Sequence, residues 1–197
     1  QAEGRLAGSG EMVALADGAG SAELALQGRN WMVVDLMELG RRAEAEEAIE
    51  RYAADATAVR LPRYRWYVPL WRAMLADLSG DFAAGEAHRS EAVEEGGLAQ
   101  DPNADLFAFV QHLQALLDSW SLEGPRFEEA HQESMRRRAA SPVPQAWTTW
   151  LPVQLALTGR TAEAREWMDA IAADDFAAIP SDANWHVVCE VAEGVAE

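Results

Sequence analysis

Apolar helical stretches alternate along this chain with short breaks, and one break recurs. Leu39-Gly40-Arg41-Arg42-Ala43-Glu44-Ala45 returns as Ser79-Gly80-Asp81-Phe82-Ala83-Ala84-Gly85 and as Thr158-Gly159-Arg160-Thr161-Ala162-Glu163-Ala164. A degenerate copy reads Glu123-Gly124-Pro125-Arg126-Phe127-Glu128-Glu129-Ala130. In each copy an apolar helical run leads into the glycine, and an alanine- and glutamate-rich helical run leaves it. The glycines stand 40, 44 and 35 residues apart, a period that points to stacked helical hairpins. A glycine takes the positive φ that ends a helix without a Cβ clash. The small residue five positions on (Ala45, Gly85 or Ala164) lets the second helix approach the first.

These marks predict an all-α chain with four hairpins, over about 21–59, 63–95, 102–140 and 144–172, and a final helix at 182–197. Residues 10–19 read as the tail of an earlier hairpin. Leu61-Pro62, Gly96-Gly97 and Ser141-Pro142-Val143-Pro144 separate the hairpins, and Asp101-Pro102 opens the third with a cap and a first-turn proline. No segment alternates apolar and polar residues as a half-buried strand would. Pro69 and Pro152 fall inside predicted helices. They require either kinks there or later helix starts.

Composition narrows the function more than the fold. Of the charged side chains, 33 are acidic and 16 basic, all of these arginine, giving a net charge of −17. Such a surface repels phosphate backbones and anionic lipids and favours partners with basic surfaces, although it also serves plain solubility. No run approaches the roughly 20 apolar residues of a membrane span. Cys189 is the single cysteine, which precludes an internal disulfide and fits a cytoplasmic setting. The chain opens without Met and closes in Val195-Ala196-Glu197 within a helical pattern, so a fragment of a longer protein is expected.

The candidate chemistry is sparse. His88, His112, His131 and His186 lie on different predicted helices without metal-ligand spacing. The pairs Glu46-Glu47, Glu94-Glu95, Glu128-Glu129 and Asp174-Asp175 diverge around a helix and suit solvated faces better than a catalytic dyad. There is no Gly-x-Ser-x-Gly elbow and, without lysine, no phosphate-binding Gly-Lys loop. Arg136-Arg137-Arg138 reads as a patch paired with Glu133 or its neighbours. No enzyme, cofactor or metal is expected. The eight tryptophans suit interhelical packing, with one or two available as binding anchors.

The glycine, aromatic and alanine pattern, best at Gly80-Asp81-Phe82 and at Gly159 with Ala164 and Met168, resembles the tetratricopeptide repeat. A closer resemblance is to the degenerate helical repeats of large bacterial signalling ATPases linked to LuxR-type or SARP-type DNA-binding domains or to nucleotide cyclases. It is carried by 31–40, by Pro62-Arg63-Tyr64-Arg65-Trp66-Tyr67, by Gly80-Asp81-Phe82, by Asp101-Pro102-Asn103-Ala104, and by 173–185. This resemblance implies a single right-handed α-solenoid domain over 1–197, acting as a sensor or interaction arm of a transcriptional or cyclase regulator.

In the tetratricopeptide register the first helix of each hairpin lines a concave face. Counting back 13 and 10 positions from each glycine selects Gln27 and Asn30, Tyr67 and Leu70, Gln111 and Gln114, and Ala146 and Thr149, with Asp77 and Asp118 nearby. Gln27, Asn30, Tyr67, Leu70, Gln111, Gln114, Asp118 and Thr149 are therefore the expected groove for a peptide or another domain. The plainer alternative is an ordinary solvated face. A second functional expectation is a small-molecule sensing pocket lined by Trp and Met, which requires an enclosed apolar cavity of a few hundred Å³.

Overall fold

The computed structural model describes residues 2–121, 124–140 and 150–173, and among them there are helices and no strand. Two compact units form, residues 1–112 and 113–197, with the boundary inside one helix. The first unit contains α1 (Ala2–Gly18), α2 (Ala22–Glu38), α3 (Arg42–Val59), a 3-10 turn (Pro62–Tyr64), α4 (Tyr67–Asp77), α5 (Phe82–Ala99) and the first part of α6 (Pro102–Asp118). The second holds the rest of α6, then α7 (Pro125–Ala140), α8 (Trp150–Leu157) and α9 (Thr161–Ala172). Successive helices pack on one another: α1 on α2, α2 on α3, α4 on α5, and α8 on α9. The predicted helix at 182–197 and the break at 141–144 lie outside the described residues. Among the described residues no helix is long and apolar enough to cross a membrane.

One backbone event repeats. Gly20, Gly40, Arg60, Gly80, Gln100 and Trp120 all take positive φ, between 51° and 78°, and they stand 20 residues apart; Gly159 follows at 76°. At Gly40 the amide donates to the Met37 carbonyl at 3.0 Å, and the next amide, Arg41, reaches back to Leu36 at 2.9 Å. Gly80 with Asp81, Trp120 with Ser121, and Gly159 with Arg160 make the same pair of bonds. They satisfy the last carbonyls of each helix and reverse the chain.

This geometry corrects the register drawn from glycine alone. The third turn is made by Trp120, and Gly124 (φ 92°) is the residue before α7, its carbonyl accepting from Glu128 at 3.2 Å. Measured between the turns that end α2, α4, α6 and α8, the period is therefore 40, 40 and 39 residues.

Gly96-Gly97 does not end α5. The helix runs on to Ala99, and Gln100 supplies the left-handed residue. Gly96 is buried where α5 meets α6, and a Cβ there would collide with that of Ala104. It is glycine for close approach. The two interior prolines are resolved by later helix starts. Pro69 is the third residue of α4 and Pro152 the third of α8, positions whose amides have no intrahelical acceptor anyway. The expected tail at 10–19 is the second half of α1, which begins at Ala2.

Core packing in the first unit is dominated by one cluster, Leu26, Val33, Ile49, Tyr52, Ala56, Tyr64, Val68, Trp71 and Leu75. Polar pairs also join neighbouring helices. Arg5 of α1 donates to Asp35 of α2, whose carboxylate is 1% exposed, at 2.8 Å, and it also pairs with Glu38. Arg89 of α5 is buried against Asp77 of α4.

Candidate functional site

Three of the predicted groove residues meet in one place. A recess of about 250 Å³ in the first unit is lined by Leu26, Gln27, Asn30 and Trp31 of α2, Tyr52 of α3, Tyr64 of the 3-10 turn and Tyr67 of α4. Gln27 is exposed and Asn30 half-buried. Among the described residues neither carboxamide has a hydrogen-bond partner. Trp31 is 56% exposed and forms an open wall. The chain's three tyrosines are all here.

The rings behind the recess form a continuous stack. Tyr52 meets Trp71 edge to face at 4.8 Å and Tyr67 at 6.3 Å between centroids. Tyr67 lies flat on Trp66 at 3.8 Å, and Trp66 in turn neighbours Phe107 at 6.0 Å. Such contacts hold ring positions beyond what burial alone gives. Burial, reinforced by Tyr67 and Tyr64, pushes the Tyr52 phenol far above its ordinary range. Burial first, then Asp101 and Tyr64, raises Tyr67. Both hydroxyls are therefore neutral at physiological pH, able to donate or accept but not to act as anions.

The 40-residue period shows what is unusual about this place. Moving each lining residue one period along gives Trp66, Tyr67, Leu70, Trp71, Ala92, Ala104 and Phe107. Trp66, Leu70, Ala92 and Ala104 of that set belong to one apolar cluster, each at most 6% exposed. Leu26, Tyr52 and Tyr64 are buried like their counterparts, and Phe107 is itself 45% exposed. The two places differ where Trp71 and Leu70 are buried, at 6% each, while Trp31 is 56% exposed and Asn30 half-buried. Gln27 and Asn30 stand where the next repeat has Tyr67 and Leu70.

The remaining predicted groove residues go elsewhere. Leu70 is buried in the filled cluster. With the third turn at Trp120, the equivalent groove positions in α6 are Phe107 and Val110. Gln111 instead falls where α2 and α4 carry Trp31 and Trp71, and its amide nitrogen donates to the Leu70 carbonyl at 3.1 Å. Gln114 donates to Asp118 at 2.8 Å on an exposed face of α6 in the second unit. Thr149 and Ala146 lie outside the described residues. Leu26, Trp31, Tyr52 and Tyr64 were not in the predicted set. Trp31 is next to Asn30, but Tyr52 and Tyr64 come from a second helix and a linker, which a count along first helices does not reach.

Other features are ordinary by comparison. An open apolar groove of about 480 Å³ lies along α1 and the start of α2, lined by Gly8, Glu11, Met12, Leu15, Ala16, Ala19 and Leu24, with little to orient a polar ligand. His88 pairs with Glu91 at 3.4 Å and His112 with Glu86 at 3.2 Å. His131, stacked on Phe127, has its imidazole pKa lowered by burial and then by Arg160, against the opposing pull of Glu128 and Glu163. Arg136 and Arg137 both pair with Glu133, at 2.8 and 2.7 Å. Among the described residues no three His, Cys, Asp or Glu side chains are grouped to hold a metal ion. His186, Cys189 and Asp174-Asp175 lie outside those residues. No protein-family model matches this sequence, and no similar curated protein or solved structure was found.

Proposed function

We propose that this chain is a non-catalytic binding segment, an arm of tetratricopeptide-like helical repeats that holds a protein or peptide for a larger bacterial regulatory protein. In this proposal the hairpins continue as a right-handed solenoid, and the recess on α2 and α4 is where the partner is anchored. The observation that carries it is the substitution of the repeat's own filling: Gln27 and Asn30 replace Tyr67 and Leu70, and a packed interface becomes an aromatic recess with two unpartnered carboxamides. A repeat has no packing reason to open one interface and make it polar.

The lining chemistry supports binding over catalysis. It consists of carboxamides, phenols, an indole and one leucine, with no carboxylate, imidazole, amine or thiol to act as acid, base or nucleophile. Its size supports a side chain of a larger partner over a free small molecule, since drug-sized ligands occupy about 300–1,000 Å³. Preformed ring walls also lower the ordering cost of binding.

The test uses a displayed library of random peptides, selected on this chain and rescreened on a Gln27→Tyr/Asn30→Leu variant that restores the filled repeat. Peptides that lose about tenfold or more in affinity on the variant, a difference of about 1.4 kcal/mol, are the expected result. Selected peptides that bind both proteins equally, or a selection that yields none, would remove the recess as the site.

A further inference from the structure

We propose that the recess takes an arginine side chain, presented by a basic segment of a partner protein; this rests on the binding role above and names the group bound. A guanidinium needs two things at once: flat aromatic surface for its face and hydrogen-bond acceptors for its five N–H groups. The recess supplies both. Trp31, 56% exposed, and half-buried Tyr67 provide the ring surface, backed by the buried Tyr52 and Tyr64, and the Gln27 and Asn30 carbonyl oxygens provide neutral acceptors. One lining ring already carries such a contact within the chain. The guanidinium carbon of Arg63 lies 5.1 Å from the centroid of the Tyr64 ring, within cation–π range.

Other occupants fit less well. An anion would meet no cationic lining residue. An aliphatic side chain would cover the half-buried Asn30 carboxamide without giving it a partner. A lysine ammonium is more strongly hydrated and cannot stack. The neighbouring cations are already offset by acids: Arg63 pairs with Glu23 at 2.8 Å, and Arg29 with Asp17 at 2.9 Å and Asp55 at 3.1 Å. Over longer range the net charge of −17 draws a basic segment toward the surface and speeds encounter.

Recess-dependent peptides from the displayed library are sequenced, and the best is resynthesised with citrulline or lysine at its anchor position. Citrulline keeps the shape of arginine and removes its charge. Affinities are measured in about 0.3 M salt, where screening shortens the reach of diffuse surface charge. The expected result is arginine at one fixed position, with about a tenfold loss on citrulline and a loss on lysine. The milder Gln27→Ala/Asn30→Ala variant should show a similar loss while keeping its helical circular dichroism. Recess-dependent peptides anchored by leucine, phenylalanine or lysine would overturn the arginine assignment and leave the binding role standing. Arginine peptides indifferent to both double variants, with binding abolished by the salt, would overturn the assignment and the recess together.

Discussion

Exchanging Asn30 and Leu70 between equivalent positions of the repeat tests whether the recess is an unfilled interface or a structural necessity. Leu70 is 6% exposed in the apolar cluster with Trp66, Ala92 and Ala104. Leu70→Asn forfeits about 2–3 kcal/mol of transfer free energy and buries a carboxamide with no partner, adding about 1–3 kcal/mol. A loss of about 4 kcal/mol follows. Asn30 is half-buried beside Leu26, Tyr52 and Tyr67, with no hydrogen bond among the described residues to lose. Asn30→Leu covers part of the recess, about half of a full leucine burial, for a gain of about 1 kcal/mol. In a chain of this length that raises Tm by about 2–4 °C. Urea unfolding followed by circular dichroism measures both changes. If Asn30→Leu costs more than about 1 kcal/mol, or if the two substitutions cost alike, the equivalence of the two interfaces is wrong and Asn30 is structural.

Three further outcomes follow from the same structure. Trp120 is 80% exposed and holds φ at 51°, so Trp120→Gly should stabilise by about 1 kcal/mol through relief of left-handed strain; a loss in urea unfolding would mean that the indole packs on something. Gly96→Ala ordinarily gains about 1 kcal/mol within a helix, but the added methyl collides with Ala104, so a net loss of about 1–3 kcal/mol is expected in the same assay. Tyr52, held above its ordinary value near 10 by burial and then by Tyr67 and Tyr64, stays protonated in the folded chain while the unfolded chain ionises near 10. The folded state therefore binds more protons above that pH, and stability falls as pH rises through the window from about 10 upward. Tyr52 tyrosinate absorbance should appear together with loss of circular dichroism, and ionisation of Tyr52 near 10 in a chain that is still folded would refute the burial.

How much of this was legible in the sequence depended on which residues occupied the turns. Gly40, Gly80 and Gly159 announce themselves because glycine takes positive φ at little cost. Arg60, Gln100 and Trp120 hold the same conformation against a steric penalty, and nothing in their side chains advertises it. Gly124, four residues past the true turn, consequently displaced the third register and carried Gln111 and Gln114 into the predicted groove in place of Phe107 and Val110. Where the register was intact, counting back from Gly40 and Gly80 selected Gln27, Asn30 and Tyr67, which the fold does bring together. Gly96 misled for the opposite reason. Its role is set by Ala104 across the α5–α6 contact, a tertiary requirement that local sequence does not encode.

A repeating chain carries its own control, and that makes the recess more informative here than its size suggests. In the stack of hairpins proposed above, each interface would be stabilised mainly by its nearest neighbours, so one interface can stay open without dissolving the next. The α4–α6 interface shows the filled solution with Trp66, Leu70 and two alanines; the α2–α4 interface reaches the same backbone register with smaller, polar or outward-facing groups on α2 and tyrosines opposite. Both share the 40-residue spacing of turns, and the side-chain difference at Asn30 runs against the stability of the chain by the roughly 1 kcal/mol that Asn30→Leu is expected to gain. Under the binding role proposed above, a partner recovers that energy on binding. Without one, Gln27→Tyr and Asn30→Leu would be simple improvements.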